Sequence, residues 1–197
     1  MASSQTTALV LGHSFVRRFH LHLLQNNFSN LGISRAEINI KYKGVGGLKA
    51  IDLFDYFHYI QQVRPRILYL EIGSNDLCHR AVVTDDVTLY LLNFVTEVFK
   101  QCPTVTNVII GQVIYRNLKA RSQSSTRPDY AAQVDVFNAL LKGVFKNDPR
   151  VKVWKHKGLL KEVSSSLLPD GVHLNKKGLT KFQHSLKRAI VTVAGSF

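Results

Sequence analysis

Residues 67–76 read ILYLEIGSND. The first six are an almost unbroken apolar run, preceded by Pro65 and ended by Gly73. A run this short and this apolar is expected to be a strand buried on both faces of a parallel sheet. The pattern recurs along the chain. Thr7–Leu11 (TALVL) runs into Gly12-His13-Ser14, and Ile38–Tyr42 (INIKY) leads to Gly44-Val45-Gly46-Gly47. Asn107–Ile114 (NVIIGQVI) leads to the polar, basic, Ser-rich stretch Arg116–Pro128, and Val151–Trp154 is the last such run.

Helical spacing fills the intervals. Ser14–Gln25 places Phe15, Phe19, Leu23 and Leu24 on one face, and Leu48–Val63 does so with Ile51, Leu53, Phe54, Phe57, Ile60 and Val63. Asp85–Cys102 follows Thr84, an expected N-cap, and stops at Pro103. Asp129–Phe145 and Lys176–Val193 complete the set, with Asn175 able to cap the last helix. Five strand–helix repeats with right-handed crossovers predict a doubly wound α/β sandwich. No repeat or linker divides residues 1–197, which are expected to form a single domain.

Composition narrows the function classes. The chain has 197 residues, of which 45% are hydrophobic and 20% charged, as in an ordinary globular protein. Two cysteines, Cys78 and Cys102, make no disulfide framework, so a reducing compartment is expected. No apolar stretch approaches the roughly 20 residues of a membrane helix, and the N-terminus lacks a basic signal-peptide region. The chain is therefore read as soluble and intracellular, cytoplasmic by default. No P-loop is present, the glycines after the second strand do not open the first strand–helix turn, and no histidine cluster has zinc-site spacing. No cofactor and no metal site are expected.

The formal net charge of +13 is uneven, with +2 in residues 1–100 and +11 in residues 101–197. Such asymmetry suits an anionic partner, whether nucleic acid, an acidic membrane surface or another protein, or else a solvated face. Arg116, Lys119, Arg121 and Arg127 lie in the stretch after the fourth strand and form a possible anion-binding group.

In an open parallel sheet, ligands bind beyond the carboxyl ends of the strands, and the polar motifs fall there. Ser14 lies where a strand turns into a helix, so helix N-terminal amides could stabilise an oxyanion beside it. A plain N-cap role is the alternative. Asp170 and His173 share one short turn. A serine nucleophile needs a base, and the base needs a partner that fixes its tautomer, which these two residues could supply. Asn75 and the pair Gly46-Gly47 could present N–H donors to a substrate oxygen. Each motif alone has a structural reading as a turn or cap; their common placement at strand ends favours chemistry.

Taken in order, these blocks resemble the SGNH (GDSL-like) hydrolases over most of the chain, from Leu9 to Ala189. The third block, Gly73-Ser74-Asn75-Asp76, and the last, Asp170 to His173, are intact. The resemblance implies a three-layer, flavodoxin-like α/β sandwich with a five-stranded parallel sheet. It implies a Ser14–His173–Asp170 triad and an oxyanion hole of the Ser14 backbone, Gly47 and Asn75, with Gly46 a close alternative to Gly47. The first block departs from the family's Gly-Asp-Ser, because His13 stands where the family has Asp. The run Gly12–Arg18 (GHSFVRR) is similar, more narrowly, to esterase domains in first-ORF proteins of LINE (non-LTR) retrotransposons. The expected activity is hydrolysis of short-chain, acetyl-type esters through an acyl-serine, with a small acyl-ester or lipid as substrate. A transferase using the same acyl-enzyme is one alternative. The other is a weakly active or inactive scaffold that binds nucleic acid or membrane.

Overall fold

The computed structural model describes residues 5–117, 129–159 and 164–195. Five strands form one sheet: β1 (Thr6–Gly12), β2 (Ile38–Gly44), β3 (Ile67–Glu71), β4 (Asn107–Gly111) and β5 (Val151–Trp154). All neighbours are parallel and the order is β2-β1-β3-β4-β5. Every residue of β3 is buried, as the unbroken apolar run requires. The helices are α1 (Ser14–Gln25), α2 (Phe57–Val63), α3 (Thr84–Gln101), α4 (Tyr130–Val144) and α5 (Lys176–Ala194). Phe19 of α1 meets Phe182 of α5 edge-on at 5.0 Å between ring centroids. Phe94 of α3 packs on Phe54 and Phe57, and α3 also contacts α4.

Three elements differ from the expected ones. The stretch expected as one helix over Leu48–Val63 opens with a 3-10 segment, Ile51–Tyr56, before α2. The amides of Lys49 and Ala50 are held at 2.9 and 3.0 Å by the carboxylates of Asp52 and Asp76, so the chain bends there before it can coil regularly. Thr84 is not a cap: Val83 precedes α3 without a side-chain cap, and the Thr84 hydroxyl reaches across to Gln133. Strand β4 ends at Gly111 rather than Ile114. Beyond it, the Asn138 amide takes both backbone groups of Val113, at 2.8 and 3.1 Å.

This order has its switch point between β1 and β3, where the connections leave in opposite directions and a crevice opens. Residues 13–14 and 73–76 therefore flank that crevice. Cys78 and Cys102 are both free thiols. Among the described residues, no helix is long and apolar enough to cross a membrane.

Candidate active site

Strand β1 ends at Gly12 and α1 begins at Ser14, leaving His13 as the N-cap. Its Nδ1 accepts from the Phe15 N–H at 3.3 Å. The capping role therefore falls to His13, and the Ser14 hydroxyl faces His173 instead, with Oγ 3.3 Å from Nε2. Ser14 is half-buried at the start of the helix, where unpaired amides and the positive end of the dipole lie.

The turn that holds His173 is built by Asp170. Its Oδ1 accepts from the N–H groups of Val172 and His173, both at 2.9 Å, and its Oδ2 is 2.6 Å from His173 Nδ1. Partial burial raises the Asp170 carboxyl, but the bonds from His173 and Val172 outweigh it and hold it down to about 2. An ionised Asp170 fixes the neutral imidazole with its proton on Nδ1, so Nε2 is an acceptor toward Ser14. The turn is anchored on both sides. Leu168 donates to the His173 carbonyl at 2.7 Å, and Asn175 caps α5 by accepting from Gly178 N–H at 3.0 Å.

The other flank comes from the loops after β2 and β3. Asn75 Nδ2 donates to the Leu48 carbonyl at 2.9 Å, which brings the Asn75 block against the residue that follows Gly47. Gly47 is exposed at φ +77°, a conformation a Cβ would strain, and the space on its Cβ side is open. Gly73 has φ +98°, and a Cβ there would lie 2.7 Å from the Phe137 ring. Asp76 is buried, and burial pushes its carboxyl up to about 6 against the bond it accepts from Ala50 N–H.

Two residues play parts that the sequence motifs do not disclose. His13 is 1% exposed, and its Nε2 lies 2.8 Å from Ser74 Oγ. Burial, then the charge of Arg116, then His173 push its pKa well below the ordinary histidine range, so it is neutral. Arg116 was expected among surface cations of a polar loop. It is instead 9% exposed, with Nη2 2.6 Å from Ser74 Oγ and 3.2 Å from Asn75 Oδ1. The backbone continues from there to the Asp170–His173 turn, because Asn117 N–H donates to the Gly171 carbonyl at 2.7 Å. Lys119, Arg121 and Arg127 lie outside the described residues.

Five segments thus converge. Ser14 meets His173, Asn75 meets the residue after Gly47, and the chain around Arg116 touches both the Asn75 block and the Asp170–His173 turn. Among the described residues, no three His, Cys, Asp or Glu side chains form a group suited to a metal ion.

Solved structures share this architecture over nearly the full chain. A GDSL-like lipase from Bacteroides thetaiotaomicron superposes with a TM-score of 0.74 at 16% identity, covering 95% of this chain and 89% of its own. The chain has the SGNH hydrolase fold. A catalytic mutant of an acetylxylan esterase from Geobacillus stearothermophilus matches at TM-score 0.68 and 17% identity, covering 96% of each chain. The esterase EstA from Pseudoalteromonas sp., in a form inhibited by monoethylphosphonate, matches at 0.71 and 14%, covering 96% of this chain and 99% of its own. At these identities the likeness is one of fold. No protein-family model and no curated protein sequence matches the chain. Nothing in these likenesses carries the narrower resemblance of Gly12–Arg18 to retrotransposon esterase domains.

Proposed function

We propose that the chain is a serine esterase that hydrolyses short-chain, acetyl-type acyl esters. The observation that carries this reading is the relay from Asp170 Oδ2 to His173 Nδ1 at 2.6 Å and from His173 Nε2 to Ser14 Oγ at 3.3 Å. In this reading Ser14 Oγ attacks the ester carbonyl carbon while His173 Nε2 takes its proton. The Asp170 carboxylate holds the imidazole in place and offsets the charge of the imidazolium. The carbonyl oxygen becomes an oxyanion, received by the Ser14 N–H, the Gly47 N–H and Asn75 Nδ2. Collapse breaks the ester C–O bond, and the proton on His173 leaves with the alcohol. Water, deprotonated by the same histidine, then hydrolyses the acyl-serine and releases the acid.

The preference for a small acyl group takes its support from the kinship of fold with an acetylxylan esterase. A panel of p-nitrophenyl esters of graded chain length, run beside labelling with a fluorophosphonate, tests both parts. The expected result is stoichiometric labelling of Ser14 and the fastest turnover on acetate or butyrate. An unlabelled, folded protein inert on every ester would overturn the reading in favour of a binding scaffold. Product formed only when an alcohol acceptor is added would point to acyl transfer.

A further inference from the structure

Arg116 is a buried cation that the triad chemistry leaves unused. Besides the contacts of Nη2, its Nη1 lies 3.3 Å from both the Ser74 carbonyl and Cys78 Sγ. Its guanidinium carbon lies 5.4 Å from the centre of the Phe15 ring. Its Nε is buried without a hydrogen-bond partner. Among the described residues, no carboxylate pairs with it. A buried charge without a counter-ion is costly to a fold, so its retention calls for a compensating gain.

The contacts show where that gain can arise. Asn75 Oδ1 accepts from Arg116 Nη2 and Asn75 Nδ2 donates to Leu48 O, so the amide is locked with its NH2 end on the Gly47 side. Nδ2 carries two hydrogens, and Leu48 uses one. The other is free for a substrate oxygen. Withdrawal of electron density through Oδ1 makes that N–H a stronger donor. His13 matters in the same way. Its Nδ1 accepts from Phe15 N–H, so its Nε2 carries the proton and donates to Ser74 Oγ, the atom that Arg116 also holds. His13 thereby fills its place with a neutral group and leaves the guanidinium charge uncancelled.

We propose that Arg116 is a positioning residue for ester hydrolysis: it orients and polarises the Asn75 amide and keeps an unneutralised positive charge behind the oxyanion hole. A neutral ester gives that charge nothing to meet. The tetrahedral oxyanion does, so the stabilisation falls on the transition state and not on the bound substrate. This inference rests on the esterase reading.

The test compares wild type, Arg116→Gln, Arg116→Lys, Asn75→Ala and the double variant Arg116→Gln/Asn75→Ala on a p-nitrophenyl acetate assay. Removing a direct oxyanion donor costs on the order of 10²–10³ in kcat, and a group acting through that donor is expected to cost about 10–100-fold. Arg116→Gln should lower kcat by that amount at unchanged KM, and Arg116→Lys, which keeps charge but not the planar fork, should recover part of it. The decisive readout is the cycle: the share of the effect that runs through the Asn75 amide is lost with it, so Arg116→Gln should cost several-fold less in the Asn75→Ala background than in wild type. Losses that multiply, or an Arg116→Gln enzyme as fast as wild type, would overturn the inference while leaving the esterase standing. Should Arg116→Gln fail to fold, Arg116→Lys carries the same cycle with Asn75→Ala. If wild type itself is neither active nor labelled by the fluorophosphonate, the esterase reading is what fails.

Discussion

Ser14→Ala removes a half-buried hydroxyl that faces His173 Nε2 at 3.3 Å. It is expected to lower kcat on a short-chain ester by about 10⁴-fold or more with the thermal midpoint unchanged. Near wild-type turnover by this variant would remove Ser14 from the mechanism. A second expectation concerns pH. His173 must be neutral to accept the serine proton, so the rate should fall as acid protonates it. Neighbouring groups leave that limb simple. Asp170, held down to about 2, stays ionised throughout it, and His13, driven down by burial and by Arg116, stays neutral. The expected profile of kcat/KM therefore falls with a slope of one proton; a flat profile, or a slope of two, would show that His173 is not the lone base. The juxtaposition of Ser14, His173 and Asp170 was legible because the chemistry proposed for them depends on residue type at short spacing: an Asp-x-x-His turn, or a serine at a strand end. Arg116 was not. Its long side chain leaves a basic stretch and folds inward over Phe15, and no local spacing encodes that direction.

At the scale of elements, apolar periodicity marks each strand and α-helix of the described residues, and the differences fall where side chains take over backbone bonding. Strand β4 was read through Ile114 because residues 112–114 continue its apolar pattern, and Val113 and Ile114 are indeed buried. What stops the strand is Asn138, on the buried face of α4, which supplies the donor and the acceptor that a neighbouring strand would otherwise give Val113. In the sequence that residue is one more polar position in a helix. Asn138→Ala should leave a buried N–H and a buried C=O unpaired, at about 1–3 kcal/mol for such a group. Urea denaturation should show a lower midpoint at unchanged slope. Because the chain runs on from Val113 to Arg116, kcat should fall more than KM changes. A midpoint equal to wild type would mean that water or a shifted strand satisfies Val113 and that Asn138 does not set the strand's end.

For the molecule as a whole, the alternation of buried strands and amphipathic helices was enough to give a parallel sheet, and the switch point of that sheet gathers residues 159 positions apart. What alternation could not convey is where the surplus charge goes. Of the four cations Arg116, Lys119, Arg121 and Arg127, Arg116 is buried and so is lost to a surface role. The described cations concentrate elsewhere. A cleft of about 470 Å³ between edge strand β5 and helix α5 is lined by Lys152, Lys155, Lys157, Lys181, His184 and Arg188, with Trp154 and Ser185 in its wall. None of the side chains that line it is acidic. Lysines on an edge strand also discourage strand pairing between molecules, which is their simplest use. Concavity adds something that edge protection does not need, because several cations facing one space raise the local concentration of multivalent anions. Trp154 is the sole tryptophan of the chain, so its fluorescence reports this cleft directly. Titration with tripolyphosphate at low salt is expected to give a saturable change that weakens steeply as salt is raised, since bound anions displace counterions. Alanine at Lys152, Lys155, Lys157 and Arg188 together should abolish the change, whereas alanine at Lys119, Arg121 and Arg127 should leave it intact. Co-sedimentation with anionic vesicles and gel shift with RNA, using the same two variants, then separate a lipid surface from a nucleic acid as the larger partner. Loss of binding only in the loop variant would return the site to residues 116–127. No saturable change in wild type would make the positive charge of the second half a solvated face.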